Sequence, residues 1–271
     1  MNVIIITGAS SGLGREFALQ MDNYFSNIDQ FWLIGRNQKR LNEVAQALQF
    51  HAAMILDMDV TDEEALDELE QELKNRNAKV RMLINCAGYG IMGDFAHQDR
   101  NEVLGMIKVN CEALTDLTQR LIPYMSKGSR IIQLASSAAF LPQPDFAVYA
   151  ATKSYVLSFS RALGEELRKR EIYVTSVCPG PVNTHFFDVA EKDGTTLALK
   201  KMTMVEPDVV VAKALRDSYH KRELSVYSLP ILAFEALTKW VPHTVILHGM
   251  RGLKALENHG SATQPKRPQT K

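Results

Sequence analysis

Cysteine is scarce: three residues among 271, Cys86, Cys111 and Cys178, each inside an apolar stretch and none in a CxxC pair. That excludes a disulfide framework and reads as reduced thiols in a reducing compartment. An excess of either charge is lacking too, with 31 Lys+Arg against 31 Asp+Glu. Neutrality over the whole chain removes the general electrostatic reason to expect nucleic acid or an anionic membrane as a partner. Long apolar runs are missing. The nearest, "VYSLPILAFEALTKWVPHTVILHGM", is broken by Pro230, Glu235, Lys239, Pro242 and His243, far short of the about 20 apolar residues a span needs. No integral membrane segment is expected, and peripheral contact through that stretch stays open. The seven histidines form no HExxH, and there is neither a Cys/His cluster nor a GxSxG elbow. Those absences argue against a metal centre and against a hydrolase. "MNVIIITGAS" runs directly from β-branched residues into a glycine turn, so no signal peptide is expected and the location reads as cytoplasmic.

What is present is an ordinary globular composition, 46% hydrophobic and 23% charged, arranged in alternation. Short apolar runs recur: "VIIIT", "FWLIG", "AMILD", "RMLIN", "RIIQLAS", "YVTSVC" and "LSVYS". Being apolar on nearly every residue, they suit strands covered on both faces. Amphipathic segments such as "EEALDELEQELKNR" lie between them. Strand–helix alternation of this kind predicts an α/β fold, a doubly wound parallel sheet of Rossmann type in one domain over 1–258. Within it, 184–204 breaks the rhythm and is expected to be a substrate loop, and 229–258 is an apolar C-terminal segment. A polar, basic tail, 259–271, is expected to be disordered.

"TGASSGLGREFAL" joins the first strand to the first helix. Gly8, Gly12 and Gly14 let backbone approach a ligand, and the helix start offers N–H groups and a positive dipole end, as a pyrophosphate requires. The second strand ends "LIGRN", with Gly35 where an NAD-preferring site places an acid and Arg36 just beyond. A forked guanidinium there suits a 2′-phosphate, so NADP(H) is favoured over NAD(H). Arg15 would add to the same positive field.

"VYAATKSYVLSF" sets Tyr149 four residues before Lys153, on one face of a helix. A free phenol has a pKa of about 10. A cation about 4 Å away at an effective dielectric of about 20 is worth roughly 4 kcal/mol, enough to lower that pKa by as much as about three before burial takes some back.

Together, "TGASSGLG", "DMDV", "NCAG", Asn110, Ser136 and "YAATK" resemble the motifs of the short-chain dehydrogenase/reductase family, from Val3 to about Ser228. The resemblance implies a nicotinamide dinucleotide and hydride exchange with an alcohol or ketone. By position, Gly8, Ser10, Ser11, Gly12, Leu13 and Gly14 resemble its phosphate loop, and Asp59 and Val60 its adenine contacts. Asn85, Ala87 and Gly88 resemble the turn beneath the cofactor ribose. Pro179, Gly180, Val182 and Thr184 resemble the segment around the nicotinamide amide. Its catalytic set maps onto Tyr149 as acid or base, Lys153 as ribose ligand and pKa modulator, Asn110 as holder of a water, and Ser136 as the residue that orients substrate. Ser137 is the neighbouring alternative to Ser136.

Loops past the strand ends supply candidate substrate contacts: Tyr89, Met92, Phe140, Phe146, Phe186 and Phe187. Their apolar character points to a hydrophobic carbonyl or alcohol, steroid-like or fatty. A homo-oligomer is expected. The competing readings are a redox-sensing module that binds the cofactor without turnover, and an epimerase or dehydratase on the same fold.

Overall fold

A computed structural model describes residues 1–25, 27–191 and 204–248. The order is β1 (Asn2–Thr7), α1 (Gly12–Met21), β2 (Gln30–Gly35), α2 (Gln38–Ala47), β3 (Ala52–Asp57), α3 (Glu63–Asn75) and β4 (Lys79–Asn85). It continues with α4 (Arg100–Ile107), a π-helical turn (Lys108–Ala113), α5 (Leu114–Leu121), β5 (Arg130–Leu134), α6 (Ala147–Leu167) and β6 (Tyr173–Val177). The chain then forms α7 (Phe186–Ala190), α8 (Pro207–Tyr219), β7 (Leu224–Ser225) and α9 (Leu229–Trp240).

The seven strands form one sheet ordered β3-β2-β1-β4-β5-β6-β7, every pairing parallel. The chain adds strands outward in one direction from β1 to β3 and in the other from β4 to β7, and the crevice at that switch point, between β1 and β4, is where open α/β sheets bind ligands. Successive side chains alternate between the faces of the sheet. Val3, Ile5, Trp32 and Ile34 therefore pack under α3, α5 and α6, while Ile4, Ile6, Phe31 and Leu33 pack under α1, α2 and α8. Both faces are covered, which is why these strands are apolar without interruption.

Local signals set the helix starts. Asp62 accepts the backbone N–H of Glu64 and Ala65 at the head of α3, and Asn37 accepts that of Arg40 at the head of α2. Pro207 opens α8, where its missing N–H costs nothing. Of the expected substrate loop, α7 occupies 186–190; 192–203 lies outside the described residues, as do 249–258 and the expected tail, 259–271.

Candidate active site

Glycine backbone floors the cleft. Gly8 leaves β1 at φ 64° and Gly12 enters α1 at φ 53°, conformations a side chain resists. A Cβ on Gly8 would stand 2.9 Å from the Ala87 nitrogen, and one on Gly14 would overlap the Gly8 carbonyl. Thr7 locks the two crossings, its Oγ1 accepting the backbone N–H of Cys86 at 3.1 Å and Ala87 at 3.0 Å. Ser11, at the N-cap of α1, makes no side-chain cap bond, which leaves the first-turn N–H groups and the positive helix end to an anion. The cradle fits a dinucleotide pyrophosphate.

At the adenosine end, the Arg36 side chain is 75% exposed and lies 3.5 Å from Asp59. The Asp59 carboxyl sits below the usual carboxylate range: burial opposes ionisation, but hydrogen bonds from the Thr61 backbone and hydroxyl and the Arg36 charge outweigh it. Arg40, one turn beyond Arg36, also lines the cleft. The motif reading missed Arg40, which the first turn of α2 brings to the cleft.

At the other end, α6 turns both Tyr149 and Lys153 inward, 7% and 6% exposed. Phe146 stacks on the Tyr149 ring with centroids 4.2 Å apart, and Phe186 tilts against it at 5.4 Å. Gly90 meets the same two rings with bare backbone; its Cβ would come within 2.6 Å of Tyr149 Cδ2. The Ser136 side chain neighbours the Tyr149 hydroxyl closely enough to pull its pKa down, and its Oγ accepts the Ala138 N–H at 3.1 Å. Ser137 instead donates its backbone N–H to the Pro179 carbonyl at 2.8 Å.

The lysine is not the main influence on the phenol. Lys153 Nζ donates to the Leu134 carbonyl at 2.7 Å and lies 5.6 Å from the Tyr149 ring centroid. Burial pushes the phenol up to about 12, with the Ser136 side chain pulling against it, and burial pushes Lys153 down to about 8. Desolvation, rather than attraction to the lysine, governs the tyrosine in this structure. Asn110 sits in the π-helical turn, fully buried. Its Oδ1 accepts the Tyr89 N–H at 3.1 Å, while its Nδ2 donates to the Tyr89 carbonyl at 2.9 Å and to Thr152 Oγ1 at 3.1 Å. Both amide donors are therefore used within the protein, and the side chain holds the Tyr89 backbone in place.

The cleft encloses about 820 Å³. It brings together Gly8, Ser11, Gly12, Leu13, Gly14, Arg36, Gly88, Tyr89, Ser136, Phe146, Tyr149, Lys153, Pro179, Gly180, Val182, Thr184, Phe186 and Phe187. Ser10 lines an adjoining recess with Arg15. Several expected contacts lie behind the wall. Asn85 Nδ2 is spent on Thr118 at 3.0 Å and Gln133 at 2.9 Å. Val60 and Ala87 pack in the core, and Thr61 lines the cleft beside Asp59. Phe140 is buried with Val156, Cys178 and Ile231, so it does not face substrate. Met92 is buried beneath the aromatic wall, its N–H on the Ala190 carbonyl at 2.9 Å. His185 and Val189, in the stretch "HFFDVA" that the sequence marks as a candidate wall, line the cleft too, and so does Gln143, which only the folded loop identifies.

A doubly wound parallel sheet, a glycine-floored crevice at its switch point and a buried tyrosine–lysine pair define a dinucleotide-dependent oxidoreductase. The chain belongs to the short chain dehydrogenase family, which it matches over residues 2–194, and it is an NAD(P)-dependent dehydrogenase or reductase. It is similar to sulfoacetaldehyde reductase 2 of Chromohalobacter salexigens, 32% identical over 196 residues, 68% of this chain and 74% of that one. Among solved structures, a short-chain dehydrogenase from Sphingobium yanoikuyae in complex with NADPH superimposes with a TM-score of 0.74 at 24% identity, covering 100% of this chain and 99% of that one. One from Burkholderia phymatum in complex with NAD also reaches 0.74, at 21% identity over 100% and 98% of the chains. These two likenesses are of fold.

Proposed function

We propose that the protein interconverts a secondary alcohol and a ketone on a hydrophobic substrate, with NADP(H) as the preferred dinucleotide. The observation that carries this reading is the buried Tyr149, with the Ser136 side chain beside its hydroxyl and Phe146 and Phe186 walling its ring. When bound, the nicotinamide supplies or accepts the hydride. The chain's own residues do the rest. Gly8, Ser11, Gly12 and Gly14 hold the pyrophosphate, and Arg36 and Arg40 take the 2′-phosphate, since no acid stands at Gly35 to repel it. Lys153 holds the ribose hydroxyls beside Gly88, where a Cβ would lie 3.5 Å from its Nζ. Ser136 orients the substrate oxygen, and Tyr149 passes the proton. A phenol held up at about 12 is protonated at neutral pH, which suits ketone reduction, the direction in which it donates.

The aromatic wall supports an apolar substrate, whereas the name of the Chromohalobacter relative describes a small anionic one. The test is turnover of steroid, fatty and small ketones and of sulfoacetaldehyde, each with NADPH and NADH. Preferred turnover of bulky apolar ketones with NADPH is expected. Selective turnover of sulfoacetaldehyde would replace the substrate reading, and equal use of both dinucleotides would remove the NADP(H) assignment.

A further inference from the structure

The two sides of α9 have different fates. Its inner side belongs to the cleft: Ile231 is buried against Gly180, and Phe234 packs on the cluster that holds Phe140 and Cys178. Glu235, the only acid in the helix, is also turned inward, 6% exposed, and paired with Lys239 at 2.6 Å and Arg161 at 3.8 Å. The outer side carries Leu229, Leu232, Leu237 and Trp240, which are 80%, 45%, 49% and 87% exposed. Ala233 and Ala236 are exposed between them. At 3.6 residues per turn these six positions form one continuous apolar stripe.

Charge is distributed to match. After Glu223 the sequence holds Lys239, Arg251, Lys254, Lys266, Arg267 and Lys271 against only Glu235 and Glu257. The neutral total therefore conceals a net acidic body and a net basic C-terminal region. With its acid buried, α9 offers lipid an apolar row and no exposed carboxylate, and the surrounding sequence supplies cations. Interfacial helices are recognised by that combination, apolar burial adding to attraction for anionic headgroups. We propose that this face docks on an anionic lipid surface, with α9 lying in the plane of the interface.

The test uses the full chain with vesicles of phosphatidylcholine alone and of phosphatidylcholine mixed with phosphatidylserine. The protein has two tryptophans, and Trp32 is fully buried, so a change in emission reports Trp240. Cosedimentation with the phosphatidylserine vesicles, a blue shift on binding and release by salt are expected. Leu232→Glu with Leu237→Glu should weaken partitioning about tenfold or more, and Lys266→Gln with Arg267→Gln about tenfold, at unchanged melting temperature. Equal binding to both vesicle types, or none, overturns the proposal. So does a wild-type oligomer that the double glutamate variant dissociates, which would make a second copy the occupant. Trp240 emission already blue-shifted without vesicles would assign the face to the chain's own C-terminal segment and likewise overturn it.

Discussion

At the adenosine and pyrophosphate end, the cleft is made of backbone: Gly8, Gly12 and Gly14 sit where β1 meets α1, and no aromatic ring is needed. At the catalytic end it is made of side chains: Phe146, Tyr149, Phe186 and Phe187 contact one another in succession, the first two over Gly90. The first construction follows from neighbours in sequence. The second brings together rings from the start of α6 and from α7, about forty residues apart in sequence. A backbone cradle suits a ligand of fixed shape, whereas a wall of rings can be re-cut while the tyrosine hydroxyl stays put.

The largest effect is expected at Tyr149. Tyr149→Phe keeps the ring and removes the proton, so kcat should fall on the order of 10³-fold while the NADPH dissociation constant, read by fluorescence, changes little. A kcat within a few-fold of wild type would remove the tyrosine from its role.

Lys153 tests how dry the catalytic end is. Burial depresses its pKa from 10.5 to about 8, so between those values the unfolded chain binds the extra proton. Stability therefore rises with pH across that window, and the cost is full below about 8. Lys153→Met escapes it: measured by urea unfolding, its advantage over wild type should be greatest below pH 8 and shrink by about 3 kcal/mol by pH 10.5. A difference constant over that range would show a solvated lysine.

One substitution made at both ends sharpens the contrast. Gly14→Ala forces a Cβ onto the Gly8 carbonyl and should cost roughly 1–3 kcal/mol of stability along with NADPH binding. Gly90→Ala displaces the Tyr149 and Phe146 rings instead; calorimetry should find NADPH affinity retained and kcat reduced about tenfold. If both variants lose cofactor equally, the two ends are not separate constructions.

The smallest effect is expected at the exposed guanidinium. Arg36→Ala should raise the KM for NADPH about tenfold and leave NADH nearly unchanged, because one charge-assisted contact is removed and Arg40 remains. Equal losses with both dinucleotides would mean that Arg36 acts through Asp59 on the fold.

Much of this was written locally. Uninterrupted β-branched runs require strands covered on both faces, and strand–helix alternation made the sheet parallel. The glycine turn and the four-residue spacing of Tyr149 and Lys153 were readable because each depends on contacts within about one turn of chain. Side-chain direction in loops was not readable. Phe140 and Phe146 are equally apolar and six positions apart, yet one is buried under α9 and the other stacks on Tyr149. Which of them faces the cleft depends on where distant elements lie.

The sequence by itself determined the sheet, the phosphate cradle and the pairing of a phenol with an ammonium, since periodicity and turn chemistry act over a few residues. Packing of distant elements is what makes burial dominate the phenol's pKa, aims the Asn110 amide at the Tyr89 backbone, and turns the α9 acid inward and its leucines outward. Desolvation and facing are properties of the whole packed molecule, and no short stretch of chain contains them.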